Sequence, residues 1–428
     1  MNDLLIILLI WFSIVISLVI RKIQGSWFAP GAFFSLYWTI NIIVLILSLN
    51  IFIIHWEGIL IIVLFIIIFS VGSTIGMHSI KKNTNVNITE SKNYFSFLNK
   101  FSTTITLIGF ISFPAILFSS GASFIDLLSI DSIIDLAQAN SSSRYSGELD
   151  NTFSVSILLS FNYFAAILNG IIFGSSLNKN NFKKIILFVP IIVSILIAMI
   201  LTTKATILFT TILFLGGYIS VTESKDKIIK LFTFKKMLGF IILIPSIFCI
   251  FAFIQMGRYG FRDLNGFLIV IDLLKIWSFG HIPAFSIWIN HDFFSNINID
   301  LGFGSKTFAG LYDILGISKR VSGGYSYGVI VSENGFGTNV FTAFRGLIED
   351  FGIIGAVGVL MFVALFTGRM YKKSKENGYL HIPLLSCFYS FILFSFATSI
   401  FAYNSIILAY CLLLFLTFIY YFIYKKKN

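Results

Sequence analysis

The stretch EGILIIVLFIIIFSVGSTIGM, residues 57–77, sets the fold, because every position after Glu57 is apolar or small and uncharged. An α-helix needs about 20 such residues to cross the roughly 30 Å hydrocarbon core of a membrane. Comparable apolar runs recur along the chain, whose 428 residues are 57% hydrophobic and 11% charged. A soluble domain carries about 25% charged residues. The sequence therefore predicts an all-α polytopic integral membrane protein.

About eleven transmembrane helices are expected from runs of this length. They cover residues 3–20, 31–53, 57–77, 101–119, 152–176, 185–202, 205–221, 237–255, 352–369, 380–397 and 404–424. Residues 1–255 thus hold helices one to eight with a small polar loop at 120–150, and residues 352–428 hold helices nine to eleven. Residues 256–351 break the apolar pattern and are predicted to form one large extracytoplasmic loop, where the protein does its work.

The distribution of charge predicts the orientation. With the N-terminus outside, 21 of the 30 lysines and arginines lie in cytoplasmic segments, as the positive-inside rule requires. The net charge of +11 reflects these short basic loops and does not indicate nucleic acid as a partner. We expect a multi-pass protein of the bacterial inner (plasma) membrane with an outer N-terminus and a cytoplasmic C-terminus.

Arginine and lysine are distributed differently over the two predicted faces. The cytoplasmic segments hold 19 lysines and two arginines, whereas the outer segments hold four lysines and five arginines. Topology needs only positive charge, but the planar guanidinium can bind phosphate or carboxylate through two parallel hydrogen bonds. The split indicates an anionic ligand outside, with chance among few residues as the alternative.

Several outer cations are candidate substrate-binding groups. Arg258 and Arg262 follow helix eight and would share one face if that helix continued, so that both could grip a diphosphate. Pairing with Asp263 or anchoring to lipid headgroups is the alternative. Lys204 lies at a tight outward tip, where a charge is costly unless it is solvated or paired, and a snorkelling lysine is the alternative. Arg144 lies in the 120–150 loop.

The segment Thr338–Asp350 is predicted to form an amphipathic helix whose polar stripe includes Arg345 and Glu349. Glu349 and Asp350 would lie at the C-terminal end of this helix, where the helix dipole disfavours acids. Nothing local explains that placement, so Glu349 is a candidate general base and Arg345 a candidate substrate ligand. The alternative is a solvated face with an Arg345–Glu349 pair.

Three further side chains in the predicted loop are candidates. His281 could act as a general base near neutral pH, or it could be a hydrogen-bonded structural histidine. Tyr325 and Tyr327 offer flat faces for stacking on sugar rings, with loop packing as the alternative. They lie in Gly324–Gly328, which matches G-x-S-x-G, but a glycine-rich loop is not the strand-to-helix elbow that a serine nucleophile needs.

Metal and cofactor motifs are not found in the sequence. There is no Walker A loop, no H-E-x-x-H and no D-x-D, and Cys249, Cys387 and Cys411 fall in apolar runs and indicate no disulfide or metal site. We therefore expect no metal and no cofactor. A donor carried on a lipid is favoured over a nucleotide sugar, because nucleotides are scarce outside the cell.

In layout and in several short motifs the chain resembles the Wzy-type O-antigen polymerases, or oligosaccharide repeat unit polymerases. Residues 27–31, Trp-Phe-Ala-Pro-Gly, look like the family's early Ser/Ala-Pro pattern. Residues 201–205, Leu-Thr-Thr-Lys-Ala, are similar to its Leu-Thr-Gly-Ser-Arg pattern, with Lys204 in place of the arginine. Residues 338–340 and 349–352 resemble the loop end that carries His-Asn in O-antigen ligases, but no histidine stands there.

The resemblance implies a GT-C-like fold and a metal-independent glycosyltransferase. It would polymerise undecaprenyl-diphosphate-linked oligosaccharide repeat units into O-antigen of lipopolysaccharide, or into capsular polysaccharide. Arg258, Arg262 and Lys204 would stabilise the leaving diphosphate, and Glu349 or His281 would accept the proton of the acceptor hydroxyl. Expected partners are the lipid-linked oligosaccharide, membrane lipid and a chain-length regulator protein. The alternatives are an O-antigen ligase and a flippase for the same lipid-linked sugar.

Overall fold

The computed structural model describes residues 2–46, 51–80, 88–145, 153–175, 181–224, 234–293, 300–318, 325, 327–376 and 379–425. The helices in chain order are α1 (Asn2–Gln24), α2 (Pro30–Ile46), α3 (Trp56–His78), α4 (Ile88–Phe110), α5 (Ser112–Ser119), α6 (Ile130–Tyr145), α7 (Phe153–Ser175), α8 (Asn181–Ile186), α9 (Val189–Leu201), α10 (Lys204–Ser224), α11 (Phe234–Tyr259), α12 (Leu264–Phe279), α13 (His281–Ile287), α14 (Ala309–Ile314), α15 (Ala343–Glu376), α16 (Ile382–Phe394) and α17 (Asn404–Lys425). Two short strands, β1 (Val329–Ile330) and β2 (Gly337–Thr338), pair antiparallel.

The chain divides into two compact units. The first unit comprises residues 1–92 and 275–407, and the second comprises residues 93–274 and 408–428. Within the ranges described above, β1 and β2 are the only named strands. The predicted all-α class is therefore confirmed.

Eight described helical segments are long and apolar enough to cross a membrane. They are Asp3–Gln24, Trp56–His78, Lys92–Ser119, Ser154–Ser175, Lys184–Leu201, Lys204–Val221, Ala343–Glu376 and Asn404–Ile423. The pair α12 and α13, bent by 59°, would make a ninth, and Pro30–Leu45, Ser246–Tyr259 and Tyr379–Phe394 are shorter apolar helices. The prediction of a polytopic membrane protein is confirmed, whereas the expected count of eleven crossings stays a prediction.

Residues 256–351 are not a plain polar loop. They contain α12, α13 and α14, together with a π-helical turn at Trp288–Phe293. The apolar character of α12 is hidden in the sequence because Asp272 and Lys275 interrupt it. A hydropathy argument that looks for long uncharged runs passes over such a helix.

The helix predicted for Thr338–Asp350 has different ends in the structure. Thr338 belongs to β2, the helix begins only at Ala343, and it runs on to Glu376. Gly352 interrupts it with φ 67° and ψ 173°, a left-handed conformation that glycine adopts without steric cost. The start was predicted wrongly because Thr338 and Thr342 continue the helical spacing, although Thr338 belongs to a strand and Thr342 precedes the helix.

In the first unit, glycines let α3 and α15 approach closely. A β-carbon on Gly368 would overlap the carbonyl oxygen of Ser73, and one on Gly76 would overlap that of Leu365. Small residues at helix crossings are how membrane helices gain van der Waals contact, because lipid provides no hydrophobic driving force between them. The C-terminal half of α15 is thereby held against α3.

Gly368→Ala is expected to destabilise the protein by about 1–3 kcal/mol, as overpacked cores do. Gly358, on the same helix, has no atom within 4 Å of a built β-carbon, so Gly358→Ala is the matched control. Thermal unfolding midpoints in detergent would show the difference. Equal midpoints for the two variants would contradict the close α3–α15 approach.

The second unit combines glycine contacts with buried amides. A β-carbon on Gly170 of α7 would overlap the carbonyl oxygen of Phe214 in α10. Asn169 accepts a hydrogen bond from Ser102 at 2.7 Å and donates one to Thr106 at 3.1 Å. Such contacts between spans satisfy polar groups that have no access to water.

Contacts in the first unit pair segments predicted to lie on the same side of the membrane. In the first unit, the Ile53 amide donates to the Val331 carbonyl at 2.8 Å, and Asn404 donates to Asp313 at 2.9 Å. At the opposite, predicted cytoplasmic side, Arg369 donates to Ser79 at 3.1 Å. These pairings support the predicted grouping of loops, while the face that points outward stays a prediction.

Candidate functional site

Arg345, in the first turn of α15, is a charged side chain buried in the first unit, with 1% of its surface exposed. Its Nε donates to Oε1 of Glu349 at 2.8 Å, and its Nη2 donates to the hydroxyl of Tyr327 at 2.5 Å. The helical i,i+4 spacing brings the two charges together. The predicted Arg345–Glu349 pair is present, but it is buried and does not lie on a solvated face.

Four aromatic rings surround the Arg345 guanidinium. Its Cζ lies 3.9 Å from the ring centroid of Tyr325, 4.0 Å from Phe341, 4.8 Å from Tyr327 and 5.2 Å from Trp288. The ring faces carry negative quadrupole charge and attract a desolvated cation by about 2 kcal/mol or more at a buried site. We call Arg345 and these four rings the arginine cage.

Both members of the ion pair carry a further buried polar atom. Among the described residues, Nη1 of Arg345 and Oε2 of Glu349 have no hydrogen-bond partner, and neither has Oγ1 of Thr342. Buried polar atoms in native proteins are nearly always hydrogen-bonded. The positions therefore suit a polar ligand group that reaches the cage.

The cage is accessible at one edge. The Glu349 side chain is 17% exposed and Tyr327 is 49% exposed, whereas Arg345 is covered. A ligand would therefore meet Glu349 and Tyr327 first. Arg345 lies beneath both and donates a hydrogen bond to each.

Burial raises the pKa of Tyr325 well above its ordinary value, and the nearby Glu349 carboxylate adds to the effect. Tyr325 therefore keeps its hydroxyl proton at any physiological pH. Its ring packs edge-on against Phe341, with centroids 5.1 Å apart. Tyr325 is a wall of the cage, whereas the more exposed Tyr327 offers a face for stacking. Gly324 and Ser326, of the G-x-S-x-G match, lie outside the described residues.

Asp350 binds the segment 302–307 to the start of α15. Its fully buried carboxylate accepts the amides of Lys306 at 3.0 Å and Thr307 at 2.6 Å. The Gly302 amide also donates to the Glu349 carbonyl at 3.1 Å. The acid that seemed misplaced at a helix end is thus explained by the backbone amides that it binds.

Lys306 is a cation that the sequence did not single out as a site residue. Its side chain is exposed, and its Cβ would lie 3.5 Å from a β-carbon on Gly346. The Asp350 contacts fix its backbone beside Glu349. Because the two segments are joined by tertiary hydrogen bonds, no local spacing in the sequence could reveal this neighbour.

An apolar cavity of about 190 Å³ lies on another face of the same helix. Ala343, Phe344 and Leu347 of α15 contribute to it, as does Thr307. Its six phenylalanines are Phe308, Phe344, Phe366, Phe388, Phe391 and Phe401. A wall of this composition suits a hydrocarbon chain and offers almost nothing to a sugar.

The start of α15 thus presents three kinds of chemistry around its axis. At about 100° per residue, Arg345 and Glu349 point to one side while Ala343, Phe344 and Leu347 point to the other. Gly346, beside Lys306, lies between them. Going around the helix, the carboxylate of Glu349 comes first, Lys306 beside Gly346 comes second, and the apolar cavity comes third.

His281 is placed differently from a general base at a surface. It is 4% exposed, its Nδ1 donates to the Ser278 carbonyl at 3.2 Å, and Phe396 lies edge-on with centroids 5.6 Å apart. Its Nε2 is buried without a partner among the described residues. This setting favours the structural interpretation of His281, and Glu349 is the better placed base.

In the second unit, Arg262 forms two ion pairs. Its Nη1 lies 3.0 Å from Oδ1 of Asp131, and its Nη2 lies 2.6 Å from Oδ1 of Asp135. The helix ends at Tyr259, because Gly260 adopts φ +70°. The condition under which Arg258 and Arg262 would share one helical face, a helix that continues to Arg262, is therefore not met. The Arg258 guanidinium carbon lies 6.0 Å from the ring centroid of Tyr259.

The other outer cations of the second unit lie on helix ends. Lys204, the first residue of α10, donates to Oε1 of the buried Gln255 at 2.9 Å. This is a paired lysine at the predicted outward tip. Arg144 belongs to α6, and its side chain lies outside the described part of the chain, as do residues 146–150 of the predicted outer loop.

Comparison of the chain with protein-family models, with curated proteins and with solved structures finds no match. A function for the chain must therefore be argued from the arginine cage, Lys306 and the apolar cavity.

Proposed function

We propose that the chain polymerises undecaprenyl-diphosphate-linked oligosaccharide repeat units on the outer face of the bacterial plasma membrane. The observation that carries this proposal is the order of groups around the start of α15. A substrate with a sugar, a diphosphate and a lipid chain has the same succession of a hydroxylated, an anionic and an apolar part. The proposal includes a GT-C-like fold and O-antigen or capsular polysaccharide as the product.

In the proposed reaction, Glu349 accepts the proton of a hydroxyl on the incoming repeat unit. The hydroxyl oxygen bonds to the anomeric carbon of the growing chain, and the bond from that carbon to the diphosphate breaks with its electron pair. Lys306 stabilises the charge that builds on the diphosphate, so that the residues themselves supply the electrostatic stabilisation. Tyr327 stacks on a sugar ring, and Arg345 holds both side chains in place.

Lys306→Ala is expected to slow chain elongation by about 10²–10³-fold, the usual cost of removing one group that stabilises transition-state charge. Lys275→Ala removes an exposed lysine of α12 in the same unit and serves as the control. Chain length on polysaccharide gels measures the effect. Equal chains from both variants would exclude Lys306 from diphosphate binding.

In the second unit, Arg258, Arg262, Lys204 and Arg144 remain, as a separate proposal, ligands of a lipid-linked glycan diphosphate. If the first two bind the diphosphate, Arg258→Ala and Arg262→Ala should each abolish long chains while the protein still inserts. Asp135→Ala is the matched control, because it breaks an exposed ion pair of Arg262 at a cost below about 1 kcal/mol and keeps both arginines. Normal chain length in both arginine variants would contradict their assignment.

Polysaccharide from cells that lack the chain tests the proposal against its alternatives. Loss of a polymerase leaves single repeat units attached to their final acceptor, and this is the expected result. Loss of an O-antigen ligase would leave none attached. Loss of a flippase would stop export, with lipid-linked units retained on the cytoplasmic face, and either of these outcomes would overturn the proposal.

A further inference from the structure

Residues 301–317 of the first unit expose an unusual number of apolar side chains. Phe303 is 73% exposed, Leu315 is 62% exposed and Ile317 is 65% exposed. The whole set comprises Leu301, Phe303, Leu311, Ile314, Leu315 and Ile317. Large exposed apolar side chains that cluster in this way mark a surface with a partner.

Half of this set lies on one face of a short helix. Leu311, Ile314 and Leu315 are spaced i, i+3 and i+4, so they project from the same side of α14 and its last turn. The opposite side faces the protein, because Asp313 there accepts a hydrogen bond from Asn404 Nδ2 at 2.9 Å, and on the flank a β-carbon on Gly310 would lie 2.7 Å from the backbone nitrogen of Asn404. The apolar side chains are therefore those that the protein itself does not cover.

Phe303 is exposed and has a backbone conformation that is unfavourable for a bulky residue. Its φ is +48°, a conformation that bulky residues rarely adopt. Its amide donates to the Asp350 carbonyl at 3.0 Å, and its carbonyl accepts the Tyr312 hydroxyl at 2.7 Å. Strained residues persist where the surroundings fix them, commonly at functional positions.

We call the six exposed apolar side chains of residues 301–317 the apolar patch. This patch is continuous with the surface of a helix that is apolar enough to cross the membrane. Leu301 lies 3.8 Å from the position of a β-carbon on Gly352. Just beyond that glycine, Ile354 is 89% exposed and Phe362 is 70% exposed, on a helix apolar enough to cross the membrane. Side chains such as these face lipid, so the patch begins where the lipid-facing surface of α15 begins.

We propose that residues 301–317 form a membrane-inserting segment whose exposed apolar side chains enter the headgroup and acyl-chain boundary beside α15. Apolar faces of interfacial segments bury about 5–10 Å deep in this boundary. The same segment carries Lys306, so insertion sets the height of that lysine at the level of lipid phosphates. This inference concerns lipid contact and holds whether or not the chain is a polymerase.

Quenching of an added tryptophan tests the insertion. The full chain, which has 6 native tryptophans, is placed in nanodiscs of phosphatidylethanolamine and phosphatidylglycerol, with and without bromine on the acyl chains. The signal is the emission of Phe303→Trp minus that of the parent chain. Ile354→Trp is the reference for lipid contact, and Asn334→Trp, in an exposed turn, is the reference for water.

The expected result is that bromolipid quenches Phe303→Trp to at least half the extent of Ile354→Trp, while aqueous acrylamide quenches only Asn334→Trp strongly. Quenching of Phe303→Trp by acrylamide and not by bromolipid would overturn the proposal. Quenching by neither reagent would overturn it too, because a second copy or another protein would then cover the patch. Leu315→Trp provides the same reading if Phe303→Trp does not fold.

Discussion

Glu349→Gln is expected to abolish long glycan chains, with a loss of elongation rate of about 10²–10⁴-fold, the usual contribution of a general base. Glutamine has nearly the same shape and can still accept the hydrogen bond from Arg345, but it cannot take the proton of an acceptor hydroxyl. The elongation rate is measured with membranes that hold equal amounts of each variant. Glu333→Gln, at an exposed turn of the same unit, is the control.

Loss of the Glu349 charge also leaves Arg345 buried without its ion-pair partner. Removing one member of a buried pair costs about 3–5 kcal/mol, whereas replacing both members by uncharged groups can be nearly neutral. The double variant Glu349→Gln with Arg345→Met is therefore expected to regain thermal stability and to remain inactive. Activity in either the single or the double variant would exclude Glu349 as the base.

Arg345→Lys is expected to lower both stability and elongation rate, although it keeps the positive charge. Lysine cannot donate from a planar fork to Glu349 and Tyr327 together, and it loses the stacking between Tyr325 and Phe341. Misplacement of a reacting group by about 1 Å can cost on the order of 10²-fold in rate. The thermal midpoint and the elongation rate should therefore fall together.

Arg262→Lys is the matched control for the thermal midpoint alone, since Arg262 is 51% exposed and pairs with exposed carboxylates. An exposed pair is worth about 0–1 kcal/mol, so its replacement should leave the thermal midpoint almost unchanged. An equal fall of the thermal midpoint in the two lysine variants would contradict the buried packing of Arg345 in the arginine cage.

The sequence predicts the long apolar helices well, because a helix that can cross a membrane needs an apolar run of about 20 residues. The stretch 57–77 appears as α3, Trp56–His78, with its ends within a residue of the expectation. Hydropathy does not reveal α12, because Asp272 and Lys275 interrupt its apolar run. Helical spacing gives a wrong helix start at Thr338, because the spacing continues through a residue that belongs to a strand.

The site was partly predictable for the same physical reason. The Arg345–Glu349 contact follows from local i,i+4 geometry, which spacing in the sequence reveals. The neighbours Tyr327 and Trp288 reach Arg345 only through chain folding, and Lys306 lies beside Gly346 only because Asp350 binds its amide. Positions that are brought together by loop closure leave no periodic signal in a single sequence.

Reconstitution is the decisive test of the proposed polymerase activity. The purified chain is incorporated into proteoliposomes with an undecaprenyl-diphosphate-linked oligosaccharide from its source cells and a metal chelator, and the products are separated by size. A polymerase is expected to produce a ladder of glycans spaced by one repeat unit, which Glu349→Gln does not form. Proteoliposomes that contain the folded chain and yield only single repeat units would contradict it.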